Sequence, residues 1–326
     1  MNITVLTSCY NSSKYIETSI KSILSQTFRD FEYIIIDDGS TDNSLSIIKD
    51  YANKDSRIRV IEKSNTGLTD SLNIGINEAK GEWIARLDAD DISVNIRLEK
   101  QLNFVKNNPA AYLVGSGCYI IDGEGEIKNK YLYPSDHNKL TKNLEYDLSF
   151  FPHSSAFFNR AIIKELGGYN NYFTRAQDKD LWFRITEKGN IACINEPLIR
   201  LRKHDDMISL DDKGLKQFKM NVYAMVCHFL RIQNKKDPSH MEKETWEFFK
   251  CRVDDFLSND LFTSYQIKKI QLKTFSVKNK YKYFTYLHNL IKNPYILNKL
   301  FYCFNIKHPA YNFAKNFNIE DFCIKS

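Results

Sequence analysis

No Cys-x-x-Cys pair occurs among the seven cysteines of this 326-residue chain, which stand scattered at Cys9, Cys118, Cys193, Cys227, Cys251, Cys303 and Cys323. Odd number and wide spacing argue against a disulfide framework and a thiolate zinc site, and suit a reducing cytoplasm. No window offers the roughly 18 uncharged apolar residues of a membrane-spanning helix. The stretch from Met1 to Tyr10 lacks the basic flank and long apolar core of a signal peptide and reads as a first β-strand. Glycine-rich nucleotide loops are missing too. No Gly-x-Gly-x-x-Gly follows the first apolar run, Gly115-Ser116-Gly117 has Ile120 where a third glycine would stand, and no Walker loop is present. A dinucleotide-binding or P-loop protein is therefore excluded, and no repeat or low-complexity segment occurs.

What is present supports a sizeable core: 43% of residues are hydrophobic, enough for one large α/β domain and a smaller unit. The first 90 residues alternate strand and helix. Ile3 to Leu6 is a β-branched run, and Ile16, Ile20, Ile23 and Leu24 then mark one face of a helix. Phe31 to Ile36 is a strand that stops at Asp37-Asp38-Gly39-Ser40, after which Thr41 or Asp42 caps a helix through Ile47, Ile48 and Tyr51. Ile58 to Ile61, Leu68 to Ala79 and Trp83 to Leu87 continue as strand, helix and strand. This order predicts a mostly parallel sheet with helices on both faces, binding its ligand beyond the carboxyl ends of the strands. Ser8 to Asn11, Asp37 to Ser40, Asn65 to Gly67 and Asp88 to Asp91 all follow strands, so they should share one crevice. A helix over 95–107, hairpin-like pieces around Gly123 and Gly125, a Gly167-Gly168 turn, a helix from Gln177 and closing strands at Ile191 to Ile194 and Leu198 to Arg202 complete the mixed domain near His204.

The fourth strand ends in I-A-R-L-D-A-D-D, with carboxylates at Asp88, Asp90 and Asp91. Like charges this close raise one another's pKa, so something positive is expected among them. A hard divalent cation answers that need, because Mg²⁺ and Mn²⁺ choose oxygen ligands and accept phosphate oxygens as well. A solvated turn with a helix cap at Asp91 is the alternative that these eight residues leave open.

Several segments together resemble the GT-A fold, family 2 glycosyltransferases: V-L-T-S-C-Y-N, S-I-L-S-Q-T-F-R-D-F-E-Y-I-I-I-D-D-G-S-T-D, N-T-G-L-T-D-S-L-N-I-G-I, L-D-A-D-D and Q-D-K-D-L-W-F-R. They occur in the family's order across about the first 205 residues. The resemblance implies a catalytic domain over 1–205 and a helical, lysine- and aromatic-rich C-terminal region over 206–326. It also implies a UDP-sugar donor and Mn²⁺ or Mg²⁺ as cofactor. Asp88-Ala89-Asp90 is similar to the family's D-x-D, in which the second carboxylate binds the metal and the first contacts ribose or metal-bound water. Asp38 matches an aspartate that contacts uracil or ribose, while Ser8, Tyr10 and Asn11 match the loop beneath the base. Asn65 and Gly67 stand where the backbone nears the nucleotide. Asp178 resembles the catalytic base of inverting members, His204 a histidine that reaches metal or diphosphate, and His153 is placed on the acceptor side or in the interior. Asp180 reads as a structural charge. Two positions depart from the pattern: Ser8 where proline is frequent, and Gln177 where an acidic residue is usual.

The resulting expectation is an inverting hexosyltransferase that acts on a lipid-linked glycan in bacterial surface polysaccharide synthesis, in the cytoplasm at the inner face of the cell membrane. A sugar-1-phosphate nucleotidyltransferase is the alternative within enzymes, although Thr7 to Ser13 holds neither the glycine nor the arginine of a triphosphate loop. A non-catalytic nucleotide-sugar-binding partner is the other. No nucleic acid is expected. From Gln266 to Ser326 there are eleven lysines against Glu320 and Asp321, more positive charge than the net +6 of the whole chain. Lys278, Lys280, Lys282, Lys292 and Lys299 alternate with Tyr281, Tyr283, Phe284, Leu287, Leu290, Ile291 and Phe301. Such a tail suits an anionic membrane surface, or else packs on the catalytic domain or on a second subunit as a homodimer.

Overall fold

The computed structural model describes residues 2–204, 215–259 and 309–319. The lysine and aromatic run from Lys278 to Phe301, on which the membrane and dimer expectations rest, lies outside the described residues. The chain divides into two compact units, Met1–Thr141 with Phe150–Asp205 and Lys142–Ser149 with Asp206–Ser326.

The first unit opens with β1 (Ile3–Cys9), α1 (Ile16–Leu24), β2 (Phe31–Asp37), α2 (Ser44–Ala52), β3 (Ile58–Glu62), α3 (Leu68–Glu78) and β4 (Trp83–Arg86). β1 lies between β2 and β4 and runs parallel to both, and β2 pairs in parallel with β3. Every residue of β2 is buried, as a parallel strand covered on both faces must be. Helix α1 forms because Ile16, Ile20 and Ile23 make a buried stripe, with Glu17 and Lys21 paired on the wet face. The N-cap of α2 is Asn43 and not the expected Thr41 or Asp42, although Asp42, one residue before that cap, accepts from the N–H of Ser44 through Oδ1 at 2.9 Å.

The second half of the unit is mixed. It contains β5 (Ile92–Ser93), α4 (Arg97–Asn107), β6 (Ala111–Ile121), β7 (Ile127–Tyr131), α5 (His137–Glu145), a 3-10 turn at His153–Ser155, β8 (Phe157–Asn159), α6 (Arg160–Glu165), α7 (Gln177–Thr186) and β9 (Asn190–Arg202). The sheet runs β3-β2-β1-β4-β8-β6-β9-β5, with β7 paired to β6. β8 is antiparallel to both β4 and β6 and ends the parallel half. The two closing strands expected after α7 are a single strand. Its pairing with β6 jumps from Ser116–Ile194 to Gly117–Pro197, so Asn195 and Glu196 interrupt the ladder without ending the strand.

The second unit contains α8 (Leu215–Ile232), a 3-10 turn at Pro238–His240, α9 (Lys243–Asn259) and α10 (Pro309–Asn316). Its core is aromatic: Tyr223 meets Trp246 and Phe249 edge-on, and Phe249 meets Phe317. Lys235 Nζ donates to the carbonyls of Ala314, Lys315 and Phe317 at 2.9, 2.6 and 3.0 Å, closing the carboxyl end of α10. No helix among the described residues is long and apolar enough to cross a membrane.

β4 positions the carboxylates, and a glycine sets where β4 begins. A Cβ at Gly81 would stand 2.4 Å from the Thr4 nitrogen and 2.6 Å from the Ile3 carbonyl carbon, so the chain can lie against β1 only without a side chain there. Gly81 also donates its N–H to Thr4 Oγ1 at 2.9 Å and gives its carbonyl to Arg160 Nε at 2.7 Å. With Ile3 opposite Trp83 and Leu6 opposite Arg86, the carboxylate loop leaves beyond the edge of the crevice. Gly81→Ala is expected to cost about 1–3 kcal/mol, because the clashing atoms are backbone and cannot move aside. Urea unfolding of the two proteins checks this; equal midpoints would show that the approach is looser.

Candidate active site

Of the four loops beyond the strands, the first three are tied to one another by side chains and the fourth is tied to α1. In the loop after β1, Asn11 takes a left-handed backbone conformation (φ 48°), with its Oδ1 accepting from the Thr41 N–H at 2.8 Å. The N–H groups of Asn11, Ser12 and Ser13 donate in turn to Ser40, Ser44 and Asp42 of the loop after β2. Asp38 is 3% exposed, and its two oxygens accept from the N–H groups of Thr66 and Gly67, both at 3.0 Å, and from Lys63. Ser19 Oγ on α1 reaches the carbonyl of Asp88 at 3.2 Å. The first three loops thus hold one another in place.

Carboxylate oxygens of Asp88, Asp90 and Asp91 lie within 4.8 Å of each other. Part of the compensating charge comes from the chain itself. Arg86, two residues before Asp88, is buried and donates from both terminal nitrogens to the two oxygens of Asp88. Strand alternation puts residues i and i+2 on one side, and the pair follows from that. Asp91 is 1% exposed, which removes the solvated-turn reading. It caps no helix: Oδ1 accepts from the Arg202 N–H on β9 at 2.8 Å, and Oδ2 meets Ser154 Oγ. Burial, with Asp90 and Asp88 beside it, holds the Asp91 carboxyl well above the usual range.

Asp90 differs from both neighbours: unlike Asp88 it has no arginine side chain on its carboxylate among the described residues, and unlike Asp91 it is only half-buried. Its Oδ2 lies 2.9 Å from His204 Nε2. Burial and Asp88 push its pKa up, with His204 acting the other way. The His204 ring packs at a tilt against Tyr15, centroids 5.1 Å apart, and Arg202 lies over Tyr15 at 4.6 Å. Arg202 in turn donates to the carbonyls of Asp90, Asp122 and Gly123. These residues fit a divalent cation. In an octahedral site with bonds of about 2.1 Å, adjacent ligand atoms stand about 3.0 Å apart, close to the Asp90–His204 separation.

Asp178 is the second residue of α7, whose N-cap, Ala176, has a left-handed backbone (φ 56°, ψ 22°). For alanine that conformation costs roughly 1–2 kcal/mol, and it turns the chain so that the helix starts with its carboxylates. Asp178 is half-buried; its Oδ1 accepts from the N–H of the next residue, Lys179, at 2.8 Å, and burial pushes its pKa up. Asp180 faces another way. It is fully buried and accepts from Arg184 Nε and Nη2 at 3.0 and 2.7 Å, while Arg184 Nη1 donates to the carbonyls of Leu166 and Gly168. His153 is a satisfied interior histidine, with Nε2 2.7 Å from the Tyr169 hydroxyl; burial and then Arg86 hold its pKa well below the usual value.

Of the other residues singled out from the sequence, Ser8 closes β1 half-buried, Tyr10 is 48% exposed beside Asn11, and Asn65 is exposed. Gly67 caps α3 at φ 99°, where a side chain would be strained although nothing crowds it. Arg86, Ser154, Lys63, Arg202 and Tyr15 join them. Arg86 could be found from its place two before Asp88 in a strand; Ser154, 66 residues from Asp88, carries no sequence signal.

The family described as Glycosyl transferase family 2 matches residues 4–167. The O-antigen biosynthesis glycosyltransferase WbnJ of Escherichia coli is 35% identical over 238 residues, which span 72% of this chain and 89% of WbnJ. Among solved structures, residues 1–349 of S. aureus TarS in complex with UDP-GlcNAc give a TM-score of 0.59 at 19% identity, covering 78% of this chain and 70% of that one. The mannosyltransferase PcManGT of Pyrobaculum calidifontis, in complex with GDP-Man and Mn²⁺, gives 0.52 at 18% identity, covering 94% and 88%. Both likenesses bear out the GT-A sheet, while the family match and the WbnJ identity establish that the chain is a glycosyltransferase belonging to glycosyl transferase family 2.

Proposed function

We propose that the chain transfers a sugar, with inversion, from a UDP-sugar to the hydroxyl of a lipid-linked glycan in bacterial surface polysaccharide synthesis. One observation carries the reading: a half-buried carboxylate, Asp178, heads a helix behind a strained residue and has no cation bonded to it among the described residues, whereas Asp180 beside it is consumed by Arg184. A general base must be free to accept a proton, and strain of this kind is kept where it serves a site. The UDP-GlcNAc bound to TarS and the WbnJ likeness support a nucleotide-sugar donor and a polysaccharide product.

On this reading the residues divide the work. Asp90 and His204 would hold Mn²⁺ or Mg²⁺, with Asp88 beside them toward the ribose. When bound, the ion supplies Lewis-acid stabilisation of the departing diphosphate. Ser8, Tyr10 and Asn11 form the floor for the base. Asp38 holds the backbone of Thr66 and Gly67 on the nucleotide side, so its contact with uracil or ribose would be made from a carboxylate already fixed by three donors; Asn65 and Gly67 border the same side. Asp178 takes the proton from the acceptor hydroxyl as that oxygen attacks the anomeric carbon. The lysine-rich tail would bring the enzyme to anionic lipid at the inner face of the membrane, where a lipid-linked acceptor resides.

Asp178→Asn is expected to bind UDP with Mn²⁺ as the parent does while transfer falls by roughly two to four orders of magnitude. Near-normal transfer by this variant would move the base elsewhere. Asp90→Asn should behave in the opposite sense, losing the Mn²⁺-dependent part of UDP affinity in a calorimetric titration; unchanged metal dependence would exclude Asp90 as the ligand. Because burial raises the Asp178 pKa, the acidic limb of kcat should lie at higher pH than an ordinary aspartate gives. A limb at or below the ordinary value would contradict that environment.

A further inference from the structure

Arg86 and Ser154 form one hydrogen-bonded unit in the middle of the site. Arg86 is 2% exposed and grips both oxygens of Asp88. Its Nη1 also donates to Ser154 Oγ at 3.1 Å, and the N–H of Asp88 donates to the same oxygen at 3.2 Å. Both lone pairs of the hydroxyl are then taken. Its single proton is left for the carboxylates, with Asp88 Oδ2 at 2.7 Å and Asp91 Oδ2 also in contact. A hydroxyl with every position used cannot swing. Ser154 therefore gives Arg86 a fixed second anchor beside its stronger, two-pronged hold on Asp88.

The same 3-10 turn reaches the other half of the site. His153, next to Ser154, packs edge-on against Trp182 with centroids 5.7 Å apart and bonds Tyr169. Trp182 lies one turn beyond Asp178 on α7, on the same helix face. Charged groups act on Asp178 from two elements: Arg86 from β4, and Lys179 from its own helix. Tyr169, from the segment before the helix, interacts with both Arg86 and Asp178, and burial keeps its phenol protonated. Arg86 Nε is buried and has no acceptor among the described residues, so the guanidinium is not exhausted by Asp88 and Ser154.

We propose that Arg86, braced by Ser154, is a positioning residue for the site: it fixes Asp88 on the donor side, and as a buried cation beside the turn that packs on α7 it also acts electrostatically on Asp178. This rests on the roles given to Asp88 and Asp178 above. Burial alone would favour a protonated Asp178, and a fixed cation opposes it at no cost of reorganisation during the reaction.

Two measurements that need no acceptor test the idea. In ¹³C-carboxyl NMR of aspartate-labelled protein, with Asp178→Asn assigning the resonance, Arg86→Gln should move the Asp178 midpoint up by about one pH unit. Arg86→Lys, which keeps the charge and loses the fork, should leave the midpoint within a few tenths. In calorimetric titration of UDP with Mn²⁺, Arg86→Gln, Arg86→Lys and Ser154→Ala should each bind about tenfold more weakly, the loss expected of a hydrogen bond to a charged group. An unmoved midpoint in Arg86→Gln overturns the link to Asp178. If that variant does not fold, Arg86→Lys and Ser154→Ala decide the matter: parental UDP affinity in both overturns the bracing. Failure of the base assignment would show separately, as transfer retained by Asp178→Asn.

Discussion

Asp88, Asp90 and Asp91 stand within 4.8 Å of one another at the end of a buried strand, and left alone their charges would push the loop apart or draw in protons. The fold meets this repulsion differently at each carboxylate. Asp88 is paired by Arg86, Asp91 is buried against Ser154 and the β9 backbone, and Asp90 is left facing His204. Like charges close together favour whatever brings positive charge between them, so on the proposed reading a loop partly neutralised by its own arginine would still take one divalent ion, at the half-buried carboxylate facing His204. The rest of the unit serves to hold this arrangement: Gly81 fixes the start of β4, β8 pairs along it, and Arg202 ties the loop to the last strand.

Strain stands on both sides of that centre. Asn11 and Ala176 are non-glycine residues with left-handed backbone, one in the loop after β1 and one just before Asp178. Asparagine adopts this conformation readily because its side chain can bond locally, and here Oδ1 takes the Thr41 N–H. Alanine has no such compensation. The helix that follows Ala176 is instead secured by the fully buried Asp180–Arg184 pair and by Trp182 in the core, which together hold the turn. A structural carboxylate and the proposed base two residues apart thus have opposite surroundings, one consumed by a cation and one left to react.

Much of the parallel half was legible in the sequence because each helix shows a 3.6-residue stripe and each strand a short β-branched run. The expectation that four loops converge follows from topology alone, and hydrogen bonds join three of them. Two features were not legible. The last strand reads as two because Asn195, Glu196 and Pro197 look like a turn, whereas pairing with β6 carries the ladder across them. Ser154 is invisible because a serine in a turn has no period and no charge, and its importance comes from three partners more than 60 residues away. The positive charge expected among the carboxylates was sought in an ion, while part of it stood two residues upstream as Arg86.

The fold itself leaves the nucleotide open, since TarS is seen with UDP-GlcNAc and PcManGT with GDP-Man on related sheets. On the proposed reading, donor choice would depend on side chains at the base floor, where Tyr10 and Asn11 are exposed. The most direct measurement is the release of nucleoside diphosphate from a panel of UDP- and GDP-sugars, with Mn²⁺ or Mg²⁺ and then with a chelator. The account predicts release of UDP from one or a few UDP-sugars and its loss when the metal is removed. No release from any donor with metal present, or release that the chelator leaves untouched, would contradict it.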